Sequence, residues 1–169
     1  MENFVAIDFE TATPKRDSAC QVGIAMVKDG VIAHKWSALI KPPGNVYSHW
    51  NTKVHGIKAE DTVNAKTFKE IFPEIERRTK GHLLVAHNAP FDRSVLEACM
   101  ESAGMYYKSL GVRWECTLAK EKKEGHTKVK LNQCCERYNI ELDHHEALSD
   151  AVACAKVYLV ESSQKKFDL

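Results

Sequence analysis

No apolar run in this 169-residue chain approaches the roughly 20 residues that a membrane-spanning helix requires. No positively charged segment followed by an apolar stretch opens it, so export is not expected and a cytoplasmic location is. Glycine and proline are sparse, at 8 and 5 residues, which excludes a collagen-like or linker-like chain. Charge of one sign is not in excess either: 24 Lys and Arg face 23 Asp and Glu, for a net charge of +1. Global charge therefore points to no partner, and only the distribution of charge can do so. The six cysteines, Cys20, Cys99, Cys116, Cys134, Cys135 and Cys154, contain no Cys-x-x-Cys pair. That spacing suits neither a zinc site nor a disulfide framework, and predicts reduced thiols packed in a core. What remains, 44% apolar and 28% charged residues, is ordinary for a folded domain, and the length suits a single one spanning residues 1–169.

Patterning along the chain predicts an α/β sheet. Phe4–Phe9 reads as a first, central strand. Cys20–Lys28 alternates with Val22, Ile24 and Met26 on one face, Asp29-Gly30 makes a tight turn, and Val31–Ile40 returns as a third strand. Thr67-Phe68-Lys69-Glu70 is a capping box opening a helix to about Thr79, with Pro73 inside it. Leu83–Ala86 is a short buried strand and Pro90–Ala103 a helix stopped by Gly104. A strand near Val112–Cys116, a helix at Leu131–Tyr138 and a long helix from Glu146 into Ser162-Ser163 complete the pattern. Helices are expected on both sides of a mixed sheet of about five strands.

The chemistry sits at the ends of these elements. Asp8 and Glu10 differ by two positions, so on a strand both carboxylates point to one face. Two adjacent anions repel each other. A pair of divalent cations about 4 Å apart, as in phosphoryl-transfer sites, supplies the compensation. Asp92 follows at the start of a helix. Asp150 lies just over one turn into the last helix, where Ala147, Ala151 and Ala155 recur every four residues and make a face smooth enough to approach the sheet.

In order, Asp8-Phe9-Glu10-Thr11, His87-Asn88-Ala89-Pro90-Phe91-Asp92 and His145-Glu146-Ala147-Leu148-Ser149-Asp150 resemble the three exonuclease motifs of the DEDD superfamily. The histidine five residues before the last acid marks the histidine subtype, which includes the proofreading exonuclease of bacterial DNA polymerase III. The resemblance extends from Phe4 to about Tyr158. It implies a ribonuclease H-like fold and a 3′→5′ exonuclease that releases nucleoside 5′-monophosphates from a nucleic-acid end. Asp8, Glu10, Asp92 and Asp150 would hold two Mg²⁺ or Mn²⁺ ions, and His145 would act as general base. A neutral imidazole suits that task near physiological pH. The neighbouring His144 is set aside only by the family spacing.

Substrate contacts are expected from Thr11, from the family segment Val54-His55-Gly56-Ile57, from Asn88 as a hydrogen-bonding partner, and from Phe91. Tyr47, Trp50 and Phe91 offer π-faces to bases, although each also suits a core. Asn88 equally suits a helix cap. Lys120, Lys122, Lys123, Lys128 and Lys130 form a basic stretch with Glu121 and Glu124 interleaved, which reads as a phosphate track or as a solvated surface. His87 reads as structural. Cys116-Thr117 and Gln21 depart from residues frequent in the family, an Asp-Thr pair and an acid. The preferred substrate is single-stranded or frayed DNA. Alternatives are an RNA-trimming enzyme of the same fold and a non-catalytic nucleic-acid-binding module accessory to a polymerase. No membrane partner is expected, and the sequence leaves polymerase or self-association open.

Overall fold

A computed structural model of the chain describes residues 3–143 and 145–164 and centres on one mixed sheet. Strands β1 (Phe4–Thr11), β2 (Ala19–Lys28) and β3 (Val31–Leu39) form an antiparallel meander. Asp29 and Gly30 turn it with φ of 52° and 81°, the left-handed pair that a two-residue hairpin demands. Strand β4 (Leu83–Ala86) lies parallel to β1, and β5 (Arg113–Cys116) parallel to β4, giving the order β3-β2-β1-β4-β5. This is the expected ribonuclease H-like architecture, with β1 in the middle.

Among the described residues, seven α-helices connect and cover the strands: α1 (His49–His55), α2 (Ala59–Thr62), α3 (Phe68–Thr79), α4 (Ala89–Ser102), α5 (Thr117–Lys123), α6 (Leu131–Tyr138) and α7 (Ala147–Gln164). The capping box at α3 forms as predicted: the Thr67 amide donates to the Glu70 carboxylate at 2.8 Å, and the Glu70 amide to the Thr67 hydroxyl. Phe68, Ile71, Phe72 and Ile75 then fall on one buried face, and the helix passes through Pro73. Helices α1, α2 and α5 were not expected. None of α1 is buried and α2 is a single turn, so neither has an apolar stripe. In α5 the inward positions are Thr117 and Glu121, which read as surface.

Alternation along β1 sorts the layers. Val5, Ile7 and Phe9 pack with Val22 and Ile24 against α3 and α4. Phe4 and Ala6 face the other way, onto Ala151, Cys154, Ala155 and Tyr158 of α7. Asp8 and Glu10 continue that second series, so the strand's pleat aims both acids at α7. Helix α6 covers the far side of α7 through Leu131, Cys134 and Cys135 against Ala153 and Val157. All six cysteines are free, and only Cys116 is not fully buried. No described helix is long and apolar enough to cross a membrane.

The junction of α5, α6 and α7 buries two carboxylates completely, Glu121 and Glu161. Glu121 is bonded by Arg137 and by the Tyr138 hydroxyl, at 2.7 Å in the latter case. Neither oxygen of Glu161 makes a hydrogen bond. Burial, and then the Glu121 charge, push the Glu161 carboxyl up to about 8, so it stays protonated at neutral pH. The unfolded chain ionises that group at ordinary carboxylate pH, so its contribution is intact in acid and lost as pH rises towards 8. Glu161→Gln should therefore match the wild type near pH 4 and gain stability progressively up to about pH 8. The gain should grow by up to about 1.4 kcal/mol per pH unit, because over that range only the unfolded wild type ionises the group. Urea titrations across that range test this, and a pH-independent difference would contradict it.

Candidate active site

The site depends on how closely α7 approaches the sheet. Gly23 pairs with Asp8 across the β1–β2 ladder. A Cβ there would overlap the carbonyl of Ala147 and the amide of Leu148, so the first turn of α7 rests on bare backbone. Gln21, opposite Glu10, fastens that turn: its amide accepts from the Ala147 N–H at 3.2 Å and donates to the Glu146 carboxylate at 3.1 Å. Glu146 in turn accepts from the Ser149 amide at 2.8 Å and caps the helix. Where relatives often carry an acid, Gln21 thus secures the helix.

This docking brings Asp150 to the acids of β1, and α4 brings Asp92. Strand β4 ends at Ala86, and the Phe9 amide donates at 2.9 Å to the Asp92 carboxylate instead of to a neighbouring strand. Asp92 and Asp150 are buried, and Asp8 and Glu10 partly so. Burial first, and then the charges of Asp92, Glu10, Asp150 and Glu146, hold the Asp8 carboxyl well above the carboxylate range. Burial with Asp150 and Glu146 raises Glu10 to about 8. Asp92 is raised by burial, and the Phe9 N–H partly offsets this. In the bare chain these groups resist ionising together.

His145 sits in the turn before α7 with φ of 70°, and its amide donates to the Asp150 carboxylate at 3.1 Å. One carboxylate thereby fixes the turn that carries the histidine. Ligand atoms of Glu10, His145 and Asp150 all lie within 4.8 Å of one another, forming a candidate metal centre. The surrounding donors are mostly carboxylate oxygens, which suits a hard divalent cation such as Mg²⁺ or Mn²⁺ and would relieve the repulsion. His144 lies outside the described residues.

Other expected residues are distributed unevenly. The Thr11 carbonyl accepts from Asn51 Nδ2 at 2.9 Å and from His55 Nε2 at 3.1 Å. Because His55 Nδ1 accepts from the Ile57 amide, the ring is held as the Nε2–H tautomer. Gly56 ends α1 at φ 77°, a left-handed position that favours glycine. Asn88 is left-handed at φ 72° and makes no side-chain cap to α4, so the cap expectation is corrected: it is the backbone there that suits asparagine. Phe91 is half-buried, with the Arg16 guanidinium 4.5 Å from its ring centre. Tyr47 bonds the Thr62 hydroxyl at 2.9 Å, whereas Trp50 is 73% exposed. His87, just after β4, bonds Thr117 at the start of α5 and the Val129 carbonyl after it, which suits the structural role expected. Lys120 is engaged by Glu115 and the Tyr158 ring.

Residues 5–158 match the family model described as RNase_T exonuclease. The chain belongs to the RNase_T exonucleases. Its motif histidine places it in the DEDDh type. It is 30% identical over 165 residues to the DNA polymerase III PolC-type protein of Thermotoga petrophila, and 29% identical over 159 residues to that of Clostridium perfringens. Each match covers 92% of this chain but only 12% and 11% of those much longer proteins. Among solved structures, exonuclease X in complex with 5′-overhanging duplex DNA superposes with a TM-score of 0.78 at 20% identity, covering 96% of this chain and 93% of that one. The DEDDh nuclease domain of 3′hExo bound to rAMP gives 0.80 at 14%, covering 96% and 92%. At these identities the likeness concerns the fold.

The acids and His145 expected from the sequence of this RNase_T exonuclease lie together, whereas the parts played by Gly23, Gln21, Glu146 and Asn51 were not foreseen. The one available signal was the glycine inside an apolar strand, which marks a close backbone approach. Gly23→Ala should push the start of α7 off the sheet, costing about 1–3 kcal/mol as overpacking does. It should also lower any hydrolytic rate by about tenfold or more as Asp150 moves. Urea unfolding and a rate measurement check both, and wild-type values in each would show that α7 is free to shift.

Proposed function

We propose that the chain works as one 3′→5′ exonuclease domain on single-stranded or frayed DNA ends, releasing nucleoside 5′-monophosphates. The carrying observation is the convergence of Asp8, Glu10, Asp92 and Asp150 from three separate segments onto the α7 side of β1, with His145 adjoining. An acid cluster of this kind weakens a fold that has no cation to place there, which argues against a binding module that lost catalysis. Likeness to a segment of PolC-type DNA polymerases favours DNA over RNA. Two divalent cations held by the four acids would polarise the scissile phosphate, lower the pKa of the attacking water and stabilise the leaving oxygen.

The chain's own residues do the rest. His145 accepts the proton of the water that attacks phosphorus, while Asp150 holds its turn through the His145 amide. The bond from phosphorus to the 3′ oxygen of the preceding nucleotide breaks, and that oxygen is protonated. His55 and Asn51 brace the Thr11 backbone beside Glu10, and Gly56 and Ile57 present the adjoining surface to the terminal nucleotide.

Chelator should abolish hydrolysis and Mg²⁺ or Mn²⁺ restore it; undiminished activity in metal-free buffer would refute the mechanism. A strand labelled at its 5′ end should give a ladder shortening from the 3′ side, not immediate release of labelled mononucleotide. Asp8→Ala should lose nearly all activity yet melt no lower than the wild type without metal, because one of the repelling anions is gone. In the metal-free wild type the raised Asp8, Glu10 and Asp92 carboxyls make stability fall as pH climbs from the carboxylate range towards 8. Asp8→Ala should flatten that fall, and a large drop in its melting temperature would instead make Asp8 structural.

His145→Ala should slow single turnover by on the order of a hundredfold or more, and remove the rise in rate that follows loss of the imidazole proton. His144→Ala should keep that rise. The reverse result would move the base by one residue.

A further inference from the structure

Two adjoining concavities lie between α4 and β5. The first, about 420 Å³, begins at Ala89 and Pro90, beside Asp92. The second, about 450 Å³, continues towards Lys108 and Arg113. Arg93 and Trp114 line both, so the two make one trough between α4 and β5, the edge strand of the sheet. Charge changes along it. The near part includes Glu97 and Glu115, the latter already engaged by Lys120 and by the Tyr158 hydroxyl. The far part carries Arg93, Lys108 and Arg113 with no acid in its lining.

We propose that this trough carries the strand upstream of the nucleotide being removed, an assignment that rests on the exonuclease reading above. A polyanion ending at four clustered acids is repelled where it reacts and must be held elsewhere. Arg93, Lys108 and Arg113 are exposed and spaced along one path leading away from those acids, as a phosphate backbone requires. Trp114 supplies a flat apolar surface beside that path. Its indole N–H donates to the Tyr107 hydroxyl at 2.7 Å, which fixes the ring in place before any base stacks on it. Cations and one aromatic face along a single path suit a single-stranded or frayed end.

The test compares the wild type with Arg93→Ala/Lys108→Ala/Arg113→Ala, all surface changes, using a labelled twelve-nucleotide DNA strand and a labelled trinucleotide. Binding is read by anisotropy with chelator present, so that no hydrolysis intervenes. The triple variant should bind the longer strand about tenfold or more weakly. Its affinity for the trinucleotide should change less than about twofold, and the slope of log affinity against log salt should fall by about two. Equal losses on both lengths, or none on the longer strand, overturn the trough. Hydrolysis is measured separately with metal: if the wild type cleaves neither strand while the length-dependent loss persists, the trough stands and the exonuclease reading falls. If it cleaves both and the variant keeps its affinity, the reverse holds. Trp114→Leu should weaken the longer strand alone, and an unchanged affinity would remove the stacking role.

Discussion

The first turn of α7 lying on the bare backbone of Gly23 is the contact from which the rest of the site follows. Small residues line the interface behind it, with Ala6 and Ala25 from the sheet and Ala151 and Ala155 from the helix. Small side chains let a helix axis come near a strand, and this is the only way a carboxylate as short as Asp150 reaches acids on β1. Gln21 and Glu146 then hold the helix at that distance by closing its open amides. Interior packing and the placing of catalytic groups are thus the same contact, set by residues that carry no chemistry themselves.

That closeness has an electrostatic consequence. Carboxylates from β1, α4 and α7 share a half-buried space in which burial and neighbouring charge make Asp8, Glu10 and Asp92 harder to ionise. The fold answers part of the penalty with backbone amides, Phe9 to Asp92 and His145 to Asp150. Two amides cannot neutralise four acids, and the remainder is what a divalent cation would supply. Glu161 shows the alternative. It too is buried beside another acid, but Glu121 has taken the available Arg137 and Tyr138, and Glu161 meets its burial by keeping a proton. Where several acids converge on a partly open space the arrangement suits a cation, and where one is sealed in beside an acid already paired, it suits a proton.

Sequence legibility followed from the kind of signal each feature leaves. The meander, the central strand and the helices α3, α4, α6 and α7 were readable because each buries a face with its own period or begins with a cap. The acids and His145 were readable because their spacing matches a family. Helices α1, α2 and α5 were not, since α1 works through the polar side chains of Asn51 and His55 and α5 turns Glu121 inward. Polar residues facing inward look like surface in a one-dimensional pattern. Gln21 looked like a departure from the family for a similar reason: its task is a pair of hydrogen bonds to residues 125 and 126 positions away.

Among the described histidines, His55 and His87 are committed to fixing local structure. An imidazole can accept a proton only at a nitrogen whose lone pair is not already spent. His55 gives its Nε2 proton to the Thr11 carbonyl and spends its Nδ1 lone pair on the Ile57 amide. Burial, moreover, lowers its affinity for a proton. His87 stands between the Val129 carbonyl and the Thr117 hydroxyl, and the carbonyl forces Nε2 to be the donor. Protonating His55 would break the bond from the Ile57 amide, whereas the Thr117 hydroxyl could accept from a protonated His87. His145 is anchored through its main chain, the backbone amide donating to the Asp150 carboxylate, and its ligand atom lies within 4.8 Å of those of Glu10 and Asp150. A main-chain anchor beside the acids is the placing that the proposed general base requires.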